Sequence, residues 1–114
     1  MLAEGLQFPH PVPTQIATVT SELVRNVRQY ADHGELELRP LTSPLGIEVR
    51  VTDHGPGIAN LNEILAGRYR SQTGLGLGLL GCRRLMDGFV VHTTPGLGTC
   101  IVARRFISDP FSAN

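Results

Sequence analysis

Two glycine-rich segments in the middle of the chain constrain its fold more than any other feature. The first, DHGPGI, begins at Asp53 and carries Gly55 and Gly57. The second, TGLGLGLLG, alternates glycine with leucine and contains Gly74, Gly76, Gly78 and Gly81. Glycine reaches backbone conformations closed to other residues and lets backbone N–H groups approach a ligand closely. Because such N–H groups at the start of a helix bind phosphate, the pattern favours a site where Asp53 contacts a base and the second segment holds a polyphosphate.

Two common nucleotide motifs do not fit these segments. Gly76, Gly78 and Gly81 match the spacing GxGxxG, but a dinucleotide fold needs a strand directly before the motif, and the sequence RSQT stands there. A P-loop needs the sequence GK[ST], and the chain contains no lysine. Taken alone, the second segment is equally consistent with a flexible loop.

Composition limits the classes of protein to which the chain can belong. Its 114 residues and its hydrophobic content of 41% suit one domain with a modest core. Ten basic residues balance ten acidic ones, which argues against a nucleic-acid partner or a membrane-surface patch. No apolar run approaches the ~20 residues that span a bilayer, and the first residues lack a signal-peptide pattern. We therefore expect a cytoplasmic protein in which Cys82 and Cys100 are reduced, partly buried thiols.

The strongest helical pattern runs from Thr14 to about Asp32. Thr14 is the expected cap, and the prolines before it, which end with Pro13, predict an extended connector. Apolar residues recur at helical spacing and predict a buried stripe formed by Ile16, Val19, Leu23, Val27 and Tyr30.

Glu22 and Asn26 place two polar side chains at the margin of this stripe. They are four residues apart, so they lie one above the other on the same side of the helix. Burying such groups without partners costs free energy. From these two residues alone, a capping or inter-helix hydrogen bond is the favoured explanation, and a functional role is the alternative.

The rest of the chain alternates strands and helices. Strands are predicted over 35–41, ended by Pro40, and over 47–52, 89–93 and 99–106, with helices over 59–67 and 75–87. The inward residues of the second strand are Ile47, Val49 and Val51, so Asp53 follows a buried strand. This order predicts a two-layer α/β (α+β) sandwich with a mixed, mostly antiparallel sheet and helices on one face.

Four motifs occur together and in order: Glu22-x-x-x-Asn26, Asp53-x-Gly55-x-Gly57, Gly74-x-Gly76-x-Gly78 and Gly98-Thr99. This combination resembles the Bergerat-fold ATPases, the superfamily of gyrase, the Hsp90 chaperone, histidine kinases and MutL. Within it, the run LAGRYRSQTGLGLGLLGCRRLMDGF looks like the lid and following helix of RsbT-type serine/threonine kinases. The short connector between Asp53 and Gly74 also fits that family, and it fits the anti-sigma kinases more loosely.

The resemblance implies how the base would be held. Asp53 would accept a hydrogen bond from the adenine amino group of ATP, and Thr99 would support the same base. Gly55 and Gly57 would let the loop pass beside the nucleotide.

The resemblance also implies how the phosphates would be held. Asn26 would bind Mg²⁺ through its side-chain oxygen, and Glu22 would be the general base. The β- and γ-phosphates would be wrapped by a lid formed by Gly74, Gly76 and Gly78. Arg68 or Arg70 would help to neutralise the phosphate charge.

The implied function is an ATP- and Mg²⁺-dependent serine/threonine kinase of a bacterial partner-switching pathway, acting on a STAS-domain antagonist or scaffold protein. Two alternatives remain open: an anti-sigma factor that sequesters a sigma factor, and a nucleotide-binding regulatory domain without turnover. Family members begin with a strand and a full first helix, whereas this chain opens partway through that helix. We therefore expect a single domain over residues 1–114 in which either the sheet lacks an edge strand or the start of the sequence falls short of it. Either case bears on a possible homodimer contact.

Overall fold

Three helices and four strands follow one another along the described part of the chain. The computed structural model describes residues 12–59, 61–66 and 78–107. In chain order the elements are α1 (Val12–Tyr30), β1 (Gly34–Thr42), β2 (Leu45–Asp53), α2 (Leu61–Leu65), α3 (Gly78–Leu85), β3 (Gly88–Thr94) and β4 (Gly98–Phe106). The expectations for Gly74, Gly76, Arg68 and Arg70 lie outside the described residues, as does the side chain of Tyr30.

The first helix begins earlier than its sequence predicts. Its described part starts at Val12, so Pro13 lies in its first turn, and the expectations of an extended Pro13 and of a cap at Thr14 are wrong. The rest of the expected connector, before Val12, lies outside the described residues. The physical reason is that backbone N–H groups of the first turn have no partner within the helix, so a proline there sacrifices no hydrogen bond. The predicted stripe is confirmed where it is described, by the burial of Ile16, Val19, Leu23 and Val27.

The four strands form one sheet in the order β1-β2-β4-β3, and all three pairings are antiparallel. The first strand does not end at Pro40, as its sequence predicts, but continues to Thr42, with Pro40 opposite Ile47. A proline is tolerated here because β1 lies at an edge of the described sheet, where an N–H group can be spared. This edge is also less buried than its alternation predicts, since Leu36 is 44% exposed.

The helices cover one face of the sheet, as the sequence predicts. The long helix α1 packs on β2 and β4, and α3 packs on α1. The core between the two layers is formed by buried side chains of α1 and α3 and by Ile47, Val49, Val51, Ile101 and Ala103. On the other face, the Glu48 carboxylate is 3% exposed and lies 2.9 Å from Arg104 Nε, 3.3 Å from Arg39 Nη2 and 3.8 Å from Arg50 Nε.

The direction of α1 along the sheet decides which of its residues approach the end of β2. Near the start of the helix, the side chain of Gln15 accepts a hydrogen bond from Arg105 on β4 at 3.3 Å. Near its end, Val27 lies close to the opposite end of the sheet, because a Cβ added at Gly34 would be 3.0 Å from Val27 Cγ1 and 3.3 Å from Asp53 Cβ. The helix therefore brings its last two turns toward Asp53.

Candidate functional site

Asp53 ends β2 and folds the following loop onto its own carboxylate. The residue is 6% exposed, and its Oδ1 accepts a hydrogen bond from the backbone N–H of Gly55 at 2.9 Å. This local turn is typical of aspartate, whose short side chain reaches the backbone two residues on. Within the described part of the chain, Oδ2 accepts no hydrogen bond, so one carboxylate oxygen is available to a ligand.

Two glycines allow the backbone to pass close to this turn. Gly57 has a φ of 84°, and a Cβ there would lie 2.9 Å from the carbonyl oxygen of Thr94. Gly98 has a φ of 132°, and a Cβ there would overlap the carbonyl oxygen of Asp53. Because only glycine adopts such conformations without strain, the backbone geometry requires glycine at both positions. Because neither glycine has a side chain, the loop and the start of β4 can lie against the end of β2.

Thr99 stands directly beside Asp53 across the sheet. The two residues are paired in the β2–β4 register, and Thr93 is paired with Thr99 in the β3–β4 register. Thr99 is 5% exposed, and its Oγ1 lies 3.0 Å from Thr93 Oγ1. Thr93 Oγ1 also accepts a hydrogen bond from the backbone N–H of Ile58 at 2.8 Å. The ends of three adjacent strands thus present one carboxylate and two hydroxyl groups in a row.

Glu22 and Asn26 are half-buried on α1, at the margin that the sequence predicts. The Glu22 side chain is 12% exposed, and its Oε1 lies 3.6 Å from Arg25 Nη1, one turn further along the helix. Within the described part of the chain, the Glu22 carboxylate makes this ion pair and neither a capping nor an inter-helix hydrogen bond. Because Arg25 is largely exposed, the pair is weak and leaves the carboxylate free to contact another group.

Cys82 shows which side of α1 Glu22 occupies. The thiol is fully buried on α3, and burial, together with the negative charge of Glu22, raises its pKa to about 12. The Glu22 carboxylate therefore lies on the side of α1 that meets α3, which begins at Gly78. Such a thiol stays protonated at neutral pH and is a poor nucleophile, so Cys82 packs rather than reacts. Both cysteines are free.

A cleft of ≈ 220 Å³ lies between the end of α1 and the loop that follows Asp53. It is lined by Ala31, Asp32, His33, His54, Gly55 and Pro56. The opposite side of this loop is fastened to the β3–β4 turn, because Gly96 N–H donates to the carbonyl oxygen of Pro56 at 2.9 Å. The cleft is thus bounded on one side by a helix terminus and on the other by a loop whose shape is fixed.

The phosphate end of the predicted site is described only in part. Gly78 is the first residue of α3, with a φ of 65° and open space where a Cβ would project. Among the described residues, no three His, Cys, Asp or Glu side chains cluster closely enough to hold a metal ion.

These residues suit a ligand that presents an amino group to the end of the sheet. A buried carboxylate with one oxygen available accepts an amino group, and the neighbouring hydroxyl row supplies a donor or an acceptor. Glycines at close-approach positions leave room for a ligand against the backbone. No helix in the described part of the chain combines the length and apolar character needed to cross a membrane.

The helical layer over a four-stranded antiparallel sheet matches the fold of GHKL-type ATPase domains. Residues 12–107 match the family described as histidine kinase-, DNA gyrase B-, and HSP90-like ATPase, and the chain belongs to this family.

Two similar proteins add detail to this assignment. The serine/threonine-protein kinase RsbT of Bacillus subtilis (strain 168) is 32% identical over 108 residues, which span 93% of this chain and 81% of that protein. The solution NMR structure of the histidine kinase domain of the E. coli osmosensor EnvZ shares the fold, with a TM-score of 0.54, 23% identity, and coverage of 90% of this chain and 70% of that one.

Sequence reasoning missed one side chain at the site, Thr93. It was predicted only as the end of a strand, yet its hydroxyl contacts both the glycine loop and Thr99. A signal was present in the sequence, because Thr93 occupies an inward position in alternation with Phe89 and Val91. A polar residue at an inward position needs a partner.

Proposed function

We propose that this protein is an ATP- and Mg²⁺-dependent serine/threonine kinase that acts in the cytoplasm. The identity of 32% over 93% of the chain to a serine/threonine-protein kinase supports the kinase part of the proposal. The arrangement of Asp53 beside Thr99 supports the nucleotide part. The resemblance of the second glycine segment to RsbT-type lids supports a place in a partner-switching pathway, with a STAS-domain antagonist or scaffold protein as the substrate.

In this proposal the end of the sheet binds the base. Oδ2 of Asp53 would accept a hydrogen bond from the adenine amino group, while Oδ1 keeps the loop in place through Gly55. Thr99 would contact the neighbouring edge of the base. Gly57 keeps the loop close to β3, so that the nucleotide can lie against the backbone.

The two polar residues of α1 would serve the phosphates and the substrate. Bound MgATP would supply the phosphoryl group, and Asn26 would hold the metal ion through its side-chain oxygen. Glu22 would orient the substrate hydroxyl and accept its proton as the new O–P bond forms and ADP leaves. The phosphates would be covered by Gly74, Gly76 and Gly78. Arg68 or Arg70 would balance the phosphate charge.

Calorimetric titration with MgATP, followed by phosphotransfer to a STAS-domain protein, tests this proposal. Asp53→Asn should abolish binding, because asparagine has one acceptor oxygen for two donors: its NH2 group would face either the Gly55 N–H or the adenine amino group. Glu22→Ala should bind MgATP like the wild type and lose at least about 100-fold in phosphotransfer, the usual contribution of a general base. Thr42→Val, at the opposite end of the sheet, is the control for both measurements.

Different outcomes separate the proposed kinase from its alternatives. A wild-type protein that does not bind MgATP would refute the proposal. Binding without phosphotransfer would favour a regulatory domain, and stable co-purification with a sigma factor would favour an anti-sigma role. Phosphotransfer at the wild-type rate by Glu22→Ala would show that the base assignment is wrong. A homodimer is a further possibility that the sedimentation behaviour of the same sample tests.

A further inference from the structure

Thr93 contacts two parts of the site at once. Its Oγ1 accepts the backbone N–H of Ile58 at 2.8 Å and lies 3.0 Å from Thr99 Oγ1. It also lies 3.5 Å from the carbonyl oxygen of Gly98. The same hydroxyl therefore joins the end of the glycine loop to the residue that stands beside Asp53.

The proton of this hydroxyl has one favourable direction. A threonine hydroxyl has one proton and two lone pairs, and the Ile58 N–H occupies one of the lone pairs. Either hydroxyl can be the donor between Thr93 and Thr99. If Thr93 donates, its proton points to Thr99 Oγ1 at 3.0 Å; if Thr99 donates to the second lone pair of Thr93, the Thr93 proton has only the carbonyl oxygen of Gly98 at 3.5 Å. Since O–H···O bonds are typically about 2.7–2.8 Å long and weaken beyond about 3.0 Å, Thr99 is the better acceptor. Thr99 then has its own proton free, and the residue is paired with Asp53 across the sheet.

We propose that Thr93 is a specificity-determining positioning residue, which holds the Thr99 hydroxyl as a donor next to the Asp53 acceptor. The inference rests on the proposed nucleotide site. An acceptor beside a donor complements an amino group beside an unprotonated ring nitrogen, which is the arrangement of the adenine amino group and N1. Guanine carries a carbonyl and an N–H at these places, so both contacts would be mismatched. A site built on hydrogen bonds discriminates strongly because a mismatch leaves buried groups unpaired.

Substitutions at Thr93 separate this role from a purely structural one. Thr93→Val keeps the shape of the side chain but removes the hydroxyl, so the Thr99 proton loses its fixed direction. Thr93→Ser keeps the hydroxyl. Thr42→Val, which removes an exposed hydroxyl at the far end of the sheet, is the matched control.

The experiment compares MgATP with the magnesium complex of 1-deaza-ATP, in which a C–H group replaces N1. Thr93→Val should bind MgATP about tenfold more weakly than the wild type, the equivalent of one hydrogen bond. It should bind the deaza analogue within about twofold of the wild type, since the contact at N1 is already absent. Thr93→Ser and Thr42→Val should match the wild type with both ligands. Thermal unfolding without ligand reports whether each variant is folded.

A structural role predicts a different pattern. If Thr93→Val weakens both nucleotides by the same factor, or weakens neither, the inference is wrong while the nucleotide site stands. If the wild type binds no MgATP, the proposed function fails and the inference fails with it. Should Thr93→Val be unfolded, Thr93→Cys replaces it in the same comparison, because a thiol is a weak donor.

Discussion

Substituting Gly98 by alanine should damage both the fold and the site. Gly98 is buried, its φ is 132°, and an added Cβ would overlap the carbonyl oxygen of Asp53. The backbone conformation alone costs a non-glycine residue about 1–3 kcal/mol, and the overlap adds about 1–3 kcal/mol because β2 and β4 must separate locally. The sum of about 2–6 kcal/mol is a large part of the 5–15 kcal/mol that typically stabilises a domain.

Two other glycines serve as controls for the two causes. Gly96 has a φ of 78° but open space around its missing Cβ, so Gly96→Ala tests backbone strain alone and should cost about 1 kcal/mol. At the opposite end of the sheet, a Cβ at Gly46 would overlap the carbonyl oxygen of Arg105. Gly46→Ala therefore reproduces the clash at a distance from the site.

Thermal unfolding and MgATP titration of the three variants distinguish these effects. Gly98→Ala should lower the melting temperature by about 10–20 °C and, at a temperature where it remains folded, weaken MgATP binding more than tenfold. Gly46→Ala should lose stability without losing affinity. The reasoning is refuted if Gly98→Ala melts within a few degrees of the wild type, or if Gly46→Ala loses as much affinity as Gly98→Ala.

Two further predictions concern buried ionisable groups. Glu48→Gln should reduce stability by about 1–3 kcal/mol in denaturant titration, because three arginines lose their shared carboxylate, whereas removal of the exposed partner in Arg39→Ala should cost less than about 0.5 kcal/mol. The raised pKa of Cys82 should make stability fall in alkaline solution: the unfolded thiol ionises near its ordinary value of 9.0, while the folded one stays protonated up to about 12. Stability at pH 10 should therefore be about 1.4 kcal/mol below its value at pH 8, and Cys82→Ala should lack this part of the slope; equal slopes would contradict the assignment.

The sequence predicts best those elements in which the backbone or the core accepts only a few residue types. Hydrophobic spacing identified the long helix and the buried strand, and the aspartate and glycine motifs located one end of the sheet. Two expectations about proline are wrong: Pro13 does not lie outside the helix, and Pro40 does not end its strand. In both places the missing N–H has no essential partner, because the first lies in the first turn of a helix and the second in an edge strand. Whether a proline is tolerated therefore depends on its position in the fold, which the local sequence does not specify.

Thr93 was missed for a related reason. Threonine is common in strands, so an inward threonine predicts that its hydroxyl has a partner but does not tell which group that partner is. Its importance arises from residues that are distant in the sequence, since Ile58 lies 35 positions away. The glycine positions, in contrast, can be recognised from the local sequence, because few other residues can adopt their conformations.

The loop after Asp53 is held by hydrogen bonds to the rest of the fold. The loop is fastened at three successive points: at Gly55 by the Asp53 carboxylate, at Pro56 by the turn residue Gly96, and at Ile58 by Thr93. Each bond fixes backbone that would otherwise have to be ordered at a cost in entropy during binding. If the base binds at this end of the sheet, as we propose, little of the loop would have to become ordered on binding.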